Sequence, residues 1–135
     1  MKEIKSAKLT REYTVTEDML AVNVGSGSLR VLATPTVAAL FEGAAAALAQ
    51  EGLEDIYTTV GSKITVEHLN PTPLGATVTV TAELTENEGR FFRFALEAYD
   101  EAGLIAKGTH ERVSVKKESF LNKAESRKAN QVESK

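Results

Sequence analysis

The sequence predicts an α+β fold: one long helix wrapped by a curved antiparallel sheet of about five strands. Three observations carry that prediction. A single alanine-rich segment, LATPTVAALFEGAAAALAQEG (residues 32–52), has the length and start signals of a helix. Everything beyond it changes from a repeat of about 3.6 to a repeat of two. The helix is also apolar or small on both faces, so a flat sheet on one side would leave half of it uncovered. At 135 residues with 42% hydrophobic content the chain suits one domain, taken here as residues 1–117, with a polar tail at 118–135.

Residues 7–15 (AKLTREYTV) alternate imperfectly and predict a first strand, and residues 17–22 a helical turn. NVGSGS then breaks the chain. The long helix opens with Thr34 at the N-cap and Pro35 at the first helical position, and Gly52 stands just past its end. Beyond it, residues 57–69, 76–84, 90–99 and 104–116 are rich in β-branched and aromatic residues. The intervening NPTPLG, TENEG and DEAG have turn chemistry suited to hairpins, so an antiparallel meander is expected. From residue 118 the polar, mixed-charge sequence predicts a short helical start fading into a disordered tail.

Val37, Leu40, Phe41, Ala44, Ala45 and Leu48 recur at i, i+3, i+4 and form the face that lies on the sheet. The other side is Ala38, Ala39, Gly43, Ala46, Ala47 and Ala49, small where a surface helix would carry Lys and Glu. Such a helix needs a sheet that curls around it, a second copy of the chain, or both. That combination is the hotdog fold, and it implies a homodimer or a higher homo-oligomer.

Composition narrows the function. A net charge of −3 gives no broad positive field for nucleic acid or anionic lipid. No run reaches a membrane span and the start has no apolar signal region, so a cytoplasmic protein is expected. The absence of cysteine removes thiolate nucleophiles and zinc–thiolate sites. VGSGSLR lacks the last glycine of a dinucleotide loop, THERVS lacks the second histidine of a zinc-protease helix, and there is no G-x-S-x-G elbow. No metal or redox cofactor is expected.

Glu42 is the lone charge in the body of the helix. Buried there it must be paired, protonated or employed. A salt bridge to an arginine, an exposed gap in a dimer seam and a role as general base all fit, and withdrawal from water would raise a carboxylate towards the range a base needs at neutral pH. His68 stands where a strand meets the NPTP loop, and suits either a satisfied strand-end histidine or a proton-transfer group. Thr34 explains itself as a cap, yet its hydroxyl can also donate towards a carboxylate or substrate.

Thr34, Glu42 eight positions on, VGSKITVEH ending at His68, the P-x-P-x-G-x-x-V-T-V-T-A-E-L run at residues 71–84 and GTHER at 108–112 together resemble the fluoroacetyl-CoA thioesterase family of hotdog proteins. The resemblance runs from the helix to about Val115 and is weak before residue 30. It implies acyl-CoA hydrolysis, with Thr34, Glu42 and His68 as the catalytic set and Gly61 as a backbone contact to the thioester. In the GTHER segment His110 and Arg112 are candidates for the CoA end, where Arg112 would suit a phosphate or simply be solvated. Members that act on fluoroacetyl-CoA carry an aromatic-bearing lid ahead of the helix. Here that stretch is AVNVGSGSLRVL, without an aromatic residue.

The reaction expected is hydrolysis of a short acyl-CoA thioester. Glu42, oriented by Thr34 and His68, either deprotonates water or attacks the carbonyl to give a mixed anhydride. A hotdog hydratase or dehydratase and a non-catalytic acyl-CoA-binding module are the alternatives. Geometry adds a constraint, since eight residues of helix span about 12 Å and Thr34 at the helix start cannot touch Glu42 directly. Either Thr34 lies off the helix axis or the site is shared across a dimer; a site at the subunit interface is the expectation, with one or two chains supplying Thr34 and Glu42.

Overall fold

The period-two segments form β2 (Tyr57–His68), β3 (Thr77–Glu88), β4 (Phe91–Asp100) and β5 (Gly103–Lys116), and the N-terminal segment supplies β1 (Lys8–Thr14). A computed structural model describes Ile4 and residues 7–133. The five strands make one antiparallel sheet in the order β1-β3-β4-β5-β2. β3, β4 and β5 are joined as the expected hairpins. β2 and β3 are not neighbours, so NPTPLG is a crossover and not a hairpin turn. That loop is clamped from elsewhere: Leu32 N donates to the Thr72 carbonyl at 2.9 Å, Val31 bridges Pro73, and buried Thr72 donates from Oγ1 to Asp100 at 2.9 Å. Gly75 at φ +87° makes the turn into β3. β3 also runs through TENE to Glu88, with a register shift after Leu84 that absorbs an extra residue.

The long helix is α2 (Thr34–Gln50). Its core face is Val37, Phe41, Ala44, Ala45, Leu48 and Ala49, all buried against Phe92, Phe94, Leu96 and Ile105 of the sheet. Leu40 is half-buried, and Ala49, expected on the far side, belongs to the core. Within one chain the far side stays partly open: Ala38, Gly43, Ala46 and Ala47 are half-buried and Ala39 is exposed. The sheet therefore covers one side of the helix, as the apolar pattern requires.

Both ends of α2 differ from expectation. Ala33 is the N-cap and Thr34 the first helical residue, with no side-chain cap; Pro35 lies within the first turn. The start is held instead by Met19, whose carbonyl accepts from Ala33 N and from Thr36 Oγ1, each at 3.0 Å. At the far end Glu51 is right-handed and Gly52 is buried without a left-handed φ, so no glycine cap forms. Ahead of α2, a 3-10 turn (Glu17–Met19) and α1 (Ala21–Val24) make the short helical stretch foreseen there, closed by Gly25 at φ +86° and tied down by an Arg30–Glu17 ion pair.

The C-terminal segment is helical well past its start, as α3 (Lys117–Glu133). Lys, Glu, Ala, Leu and Arg dominate it and neither glycine nor proline interrupts it, so local propensity suffices for a helix whose side chains through Lys128 lie in solvent. The last two residues of the expected tail lie outside the described ones. No described helix is long and apolar enough to cross a membrane.

Candidate active site

β2 holds the device that builds the site. Gly61 and His68 are seven residues apart, so in a regular strand they would face opposite sides of the sheet. The pairing of β2 with β5 shifts between Gly61 and Lys63, leaving Ser62 as the extra residue of a bulge. Inward positions change from odd to even across it: Thr59 and Gly61 face α2 before the bulge, and Ile64, Val66 and His68 turn inward after it. Two groups of candidate residues result.

The first is Thr34 with His68. Thr34 Oγ1 lies 2.8 Å from His68 Nδ1, so the hydroxyl that does not cap the helix orients the imidazole. His68 Nε2 is buried and has no hydrogen-bond partner among the described residues. Burial pushes this imidazole below its ordinary value, opposed by the Asn70 backbone, so it is neutral at pH 7. The pair lines a cleft of about 320 Å³ walled by Ala21, Ser26, Leu32 and Asn70. Ser26 brings the aromatic-free stretch ahead of α2 to the rim of the cleft.

The second group gathers about Gly61. A Cβ there would stand 2.7 Å from Glu42 Oε2, 3.1 Å from His110 Cε1 and 3.4 Å from Arg112 Nη1, so the missing side chain is what lets these groups converge. Glu42 is not buried within one chain: its side chain is 43% exposed, and its Oε2 is 3.9 Å from Arg112 Nη1. The expected arginine partner therefore exists, in a long ion pair that leaves the carboxylate accessible. Arg112 and His110 are 7% and 1% exposed. Arg112 donates from Nε to Thr59 Oγ1 at 2.7 Å, from Nη2 to the Thr59 carbonyl at 2.9 Å, and from Nη1 to His110 Nε2 at 3.1 Å. Its donors are thus turned into the protein rather than presented to solvent, where a CoA phosphate would be met. Sequence reasoning missed Thr59, the acceptor that makes a buried arginine tolerable, because a threonine in a strand carries no signal of its own.

The two groups do not meet within one chain. Thr34 and Glu42 are two turns apart on α2, and Gly61 and His68 are about 20 Å apart along β2. Among the described residues no cluster of His, Asp and Glu could hold a metal ion. A further cavity of about 340 Å³ lies on the outer face of the sheet between Lys8, Glu67, Glu97 and Lys107; its lining mixes both charge signs and brings no candidate residue together.

Three comparisons bear on this geometry. The family model for fluoroacetyl-CoA-specific thioesterases matches residues 15–118. A fluoroacetyl-CoA thioesterase of Streptantibioticus cattleyicolor is 40% identical over 90 residues, which are 67% of this chain and 65% of that protein. The match thus spans just under two thirds of the relative's length. Among solved structures, a variant of the fluoroacetyl-CoA-specific thioesterase FlK in complex with fluoroacetate and CoA is 32% identical, with a TM-score of 0.80 over 84% of this chain and 95% of its own. A thioesterase superfamily member of Thermus thermophilus is 27% identical, with a TM-score of 0.86 over 100% of both chains. The expected hotdog fold is the observed one.

Proposed function

The chain belongs to the fluoroacetyl-CoA-specific thioesterase family, and from that premise we propose that it hydrolyses a short acyl-CoA thioester to the free acid and CoA, with Glu42, His68 and Thr34 as its catalytic residues. The observation that carries this reading is His68, whose Nε2 is buried without a partner while Nδ1 is held by Thr34 beside an open cleft. A buried imidazole nitrogen left unsatisfied is costly unless a ligand or reacting group completes it.

Glu42 takes the proton of an attacking water, whose oxygen bonds to the thioester carbon, or its own oxygen attacks to give an anhydride that water then opens. In either course the carbon–sulfur bond breaks and CoA leaves, with the neutral His68 placed to pass a proton. Backbone N–H groups near Gly61, or the N-terminus of α2 with its partial positive charge, stabilise the developing oxyanion. No metal or redox group enters any step. The stretch ahead of α2 that reaches the cleft carries no aromatic residue, so this reading does not require fluorine in the acyl group.

The site is completed by a second copy of the chain. β2 is an edge strand, and the alanine face of α2 beside it is half-covered. Antiparallel pairing of two β2 edges would set His68 of one copy opposite the Gly61 region of the other, bringing Thr34 and His68 to the partner's Glu42 and covering the alanine face in the same step. The membrane and nucleic acid have no part in this reading, and a cytoplasmic setting is retained.

A thiol-release screen over acyl-CoAs from acetyl to palmitoyl tests the proposal. Release that is fastest with short chains is expected. No thiol release from any of them, or hydration of crotonyl-CoA instead, would overturn it.

A further inference from the structure

His110 is almost wholly buried, yet both of its ring nitrogens are engaged, and the partners dictate which one carries the proton. The Lys63 carbonyl 2.7 Å from Nδ1 can only accept, so Nδ1 bears the hydrogen. Arg112 Nη1, 3.1 Å from Nε2, can only donate, so Nε2 presents its lone pair. The neutral Nδ1–H tautomer is the one form that satisfies both. The remaining neighbours are Phe94 of β4, with ring centroids 6.2 Å apart, Glu42 of α2, and Glu111 beside it on β5.

We propose that His110 is a positioning residue, whose fixed tautomer holds the Arg112 guanidinium, and through it the Glu42 carboxylate, in place above Gly61. The inference rests on the thioesterase reading and adds to it a residue that need not touch the substrate. With Nε and Nη2 both committed to Thr59, the guanidinium plane is set by three acceptors, and its Nη1 edge is aimed at Glu42. Removing the His110 acceptor frees that edge to turn and leaves a buried donor without a partner. Protonating His110 has a like effect, since Nε2–H would face a guanidinium N–H. Burial, seconded by the Arg112 charge, opposes that protonation, whereas the Lys63 carbonyl, Glu42 and Glu111 favour it.

The test combines nitrogen NMR of the parental protein with two variants. At pH 7.5 the His110 ring should show a protonated Nδ1 and a bare Nε2, and the Arg112 Nη1–H that donates to it should give a slowly exchanging signal. His110→Phe keeps the ring against Phe94 but has no acceptor. It should lose that arginine signal and lower kcat roughly tenfold or more, with KM changed by less than about threefold. His110→Gln can accept from Arg112 without titrating and should recover most of kcat; it also serves if the Phe variant does not fold. A folded Phe variant with parental kcat, a Gln variant no better than Phe, or a protonated Nε2 in the parental protein would overturn the proposal. Absence of turnover in the parental protein would count against the thioesterase reading instead, leaving the two nitrogen spectra to decide the His110–Arg112 arrangement by themselves.

Discussion

The Thr34–His68 pair and the Glu42 group are built on the same helix and the same strand by opposite means. The first is open: one hydrogen bond, one buried nitrogen left without a partner, and a cleft in front of it. The second is closed: Arg112 and His110 spend their polar atoms on Thr59, Lys63 and each other, and only the Glu42 carboxylate reaches towards solvent. Groups with unmet hydrogen-bonding capacity mark where a substrate is handled, whereas a satisfied buried network marks where a charge is held still. On the proposed function, the contrast fits proton transfer at His68 and a carboxylate at Glu42 held near a fixed Arg112.

The largest expected effect comes from removing that carboxylate's chemistry. Glu42→Gln keeps shape and hydrogen bonding, so kcat should fall by roughly a hundredfold or more while the melting temperature changes little. If Glu42 were instead only the counter-charge of Arg112, the variant would melt earlier and its activity would track the folded fraction. A smaller loss is expected from Gly61→Ala, because its Cβ would intrude 2.7 Å from Glu42 Oε2, the end of a flexible side chain that can move aside. The fold should survive and kcat should drop by about tenfold to a hundredfold, as a small misplacement of a reacting group does. Parental turnover in that variant would show that Glu42 need not sit above Gly61.

Acid should weaken the molecule through both groups at once. His68 and His110 are each pushed below the ordinary histidine value, mainly by burial. Below about pH 6.5 the unfolded chain therefore binds more protons than the folded one, and stability falls as the pH drops from there towards 5. The urea midpoint should fall across that window, and His68→Gln and His110→Gln should each remove part of the slope. A slope unchanged in both variants would assign it to other groups. The smallest effect is expected at the C-terminus: deleting residues 125–135 removes the end of α3, whose described side chains through Lys128 lie in solvent, and should leave melting temperature and turnover almost unchanged. A loss of several degrees would show that α3 docks.

Much of this was legible in the residues. The alanine-rich helix with its apolar stripe and the period-two segments announced a helix-on-sheet fold, and the lone Glu42 announced an arginine partner as one reading, though not that it would lie half exposed within one chain. Ranges failed where tertiary contacts override local signals. Thr34 reads as a cap, but Met19 holds the helix start and releases its hydroxyl to His68. NPTPLG reads as a hairpin turn, but the backbone of Leu32 captures it as a crossover. The bulge at Ser62, which lets Gly61 and His68 share the inner face, has no composition of its own, and neither does Thr59 beneath Arg112. In each case the deciding partner is distant in sequence, so no local pattern could announce it.

The claim that most needs testing is that the two groups complete one site only when two copies meet. Glu42→Gln and His68→Asn subunits, each inactive alone, can be unfolded together, refolded as a mixture and assayed for thioester hydrolysis. If one copy supplies Thr34 and His68 and the other supplies Glu42, each mixed dimer holds one intact site, and statistical mixing should restore about a quarter of the parental activity. Mixed dimers, verified by mass, that remain as inactive as either parent variant would contradict the shared site.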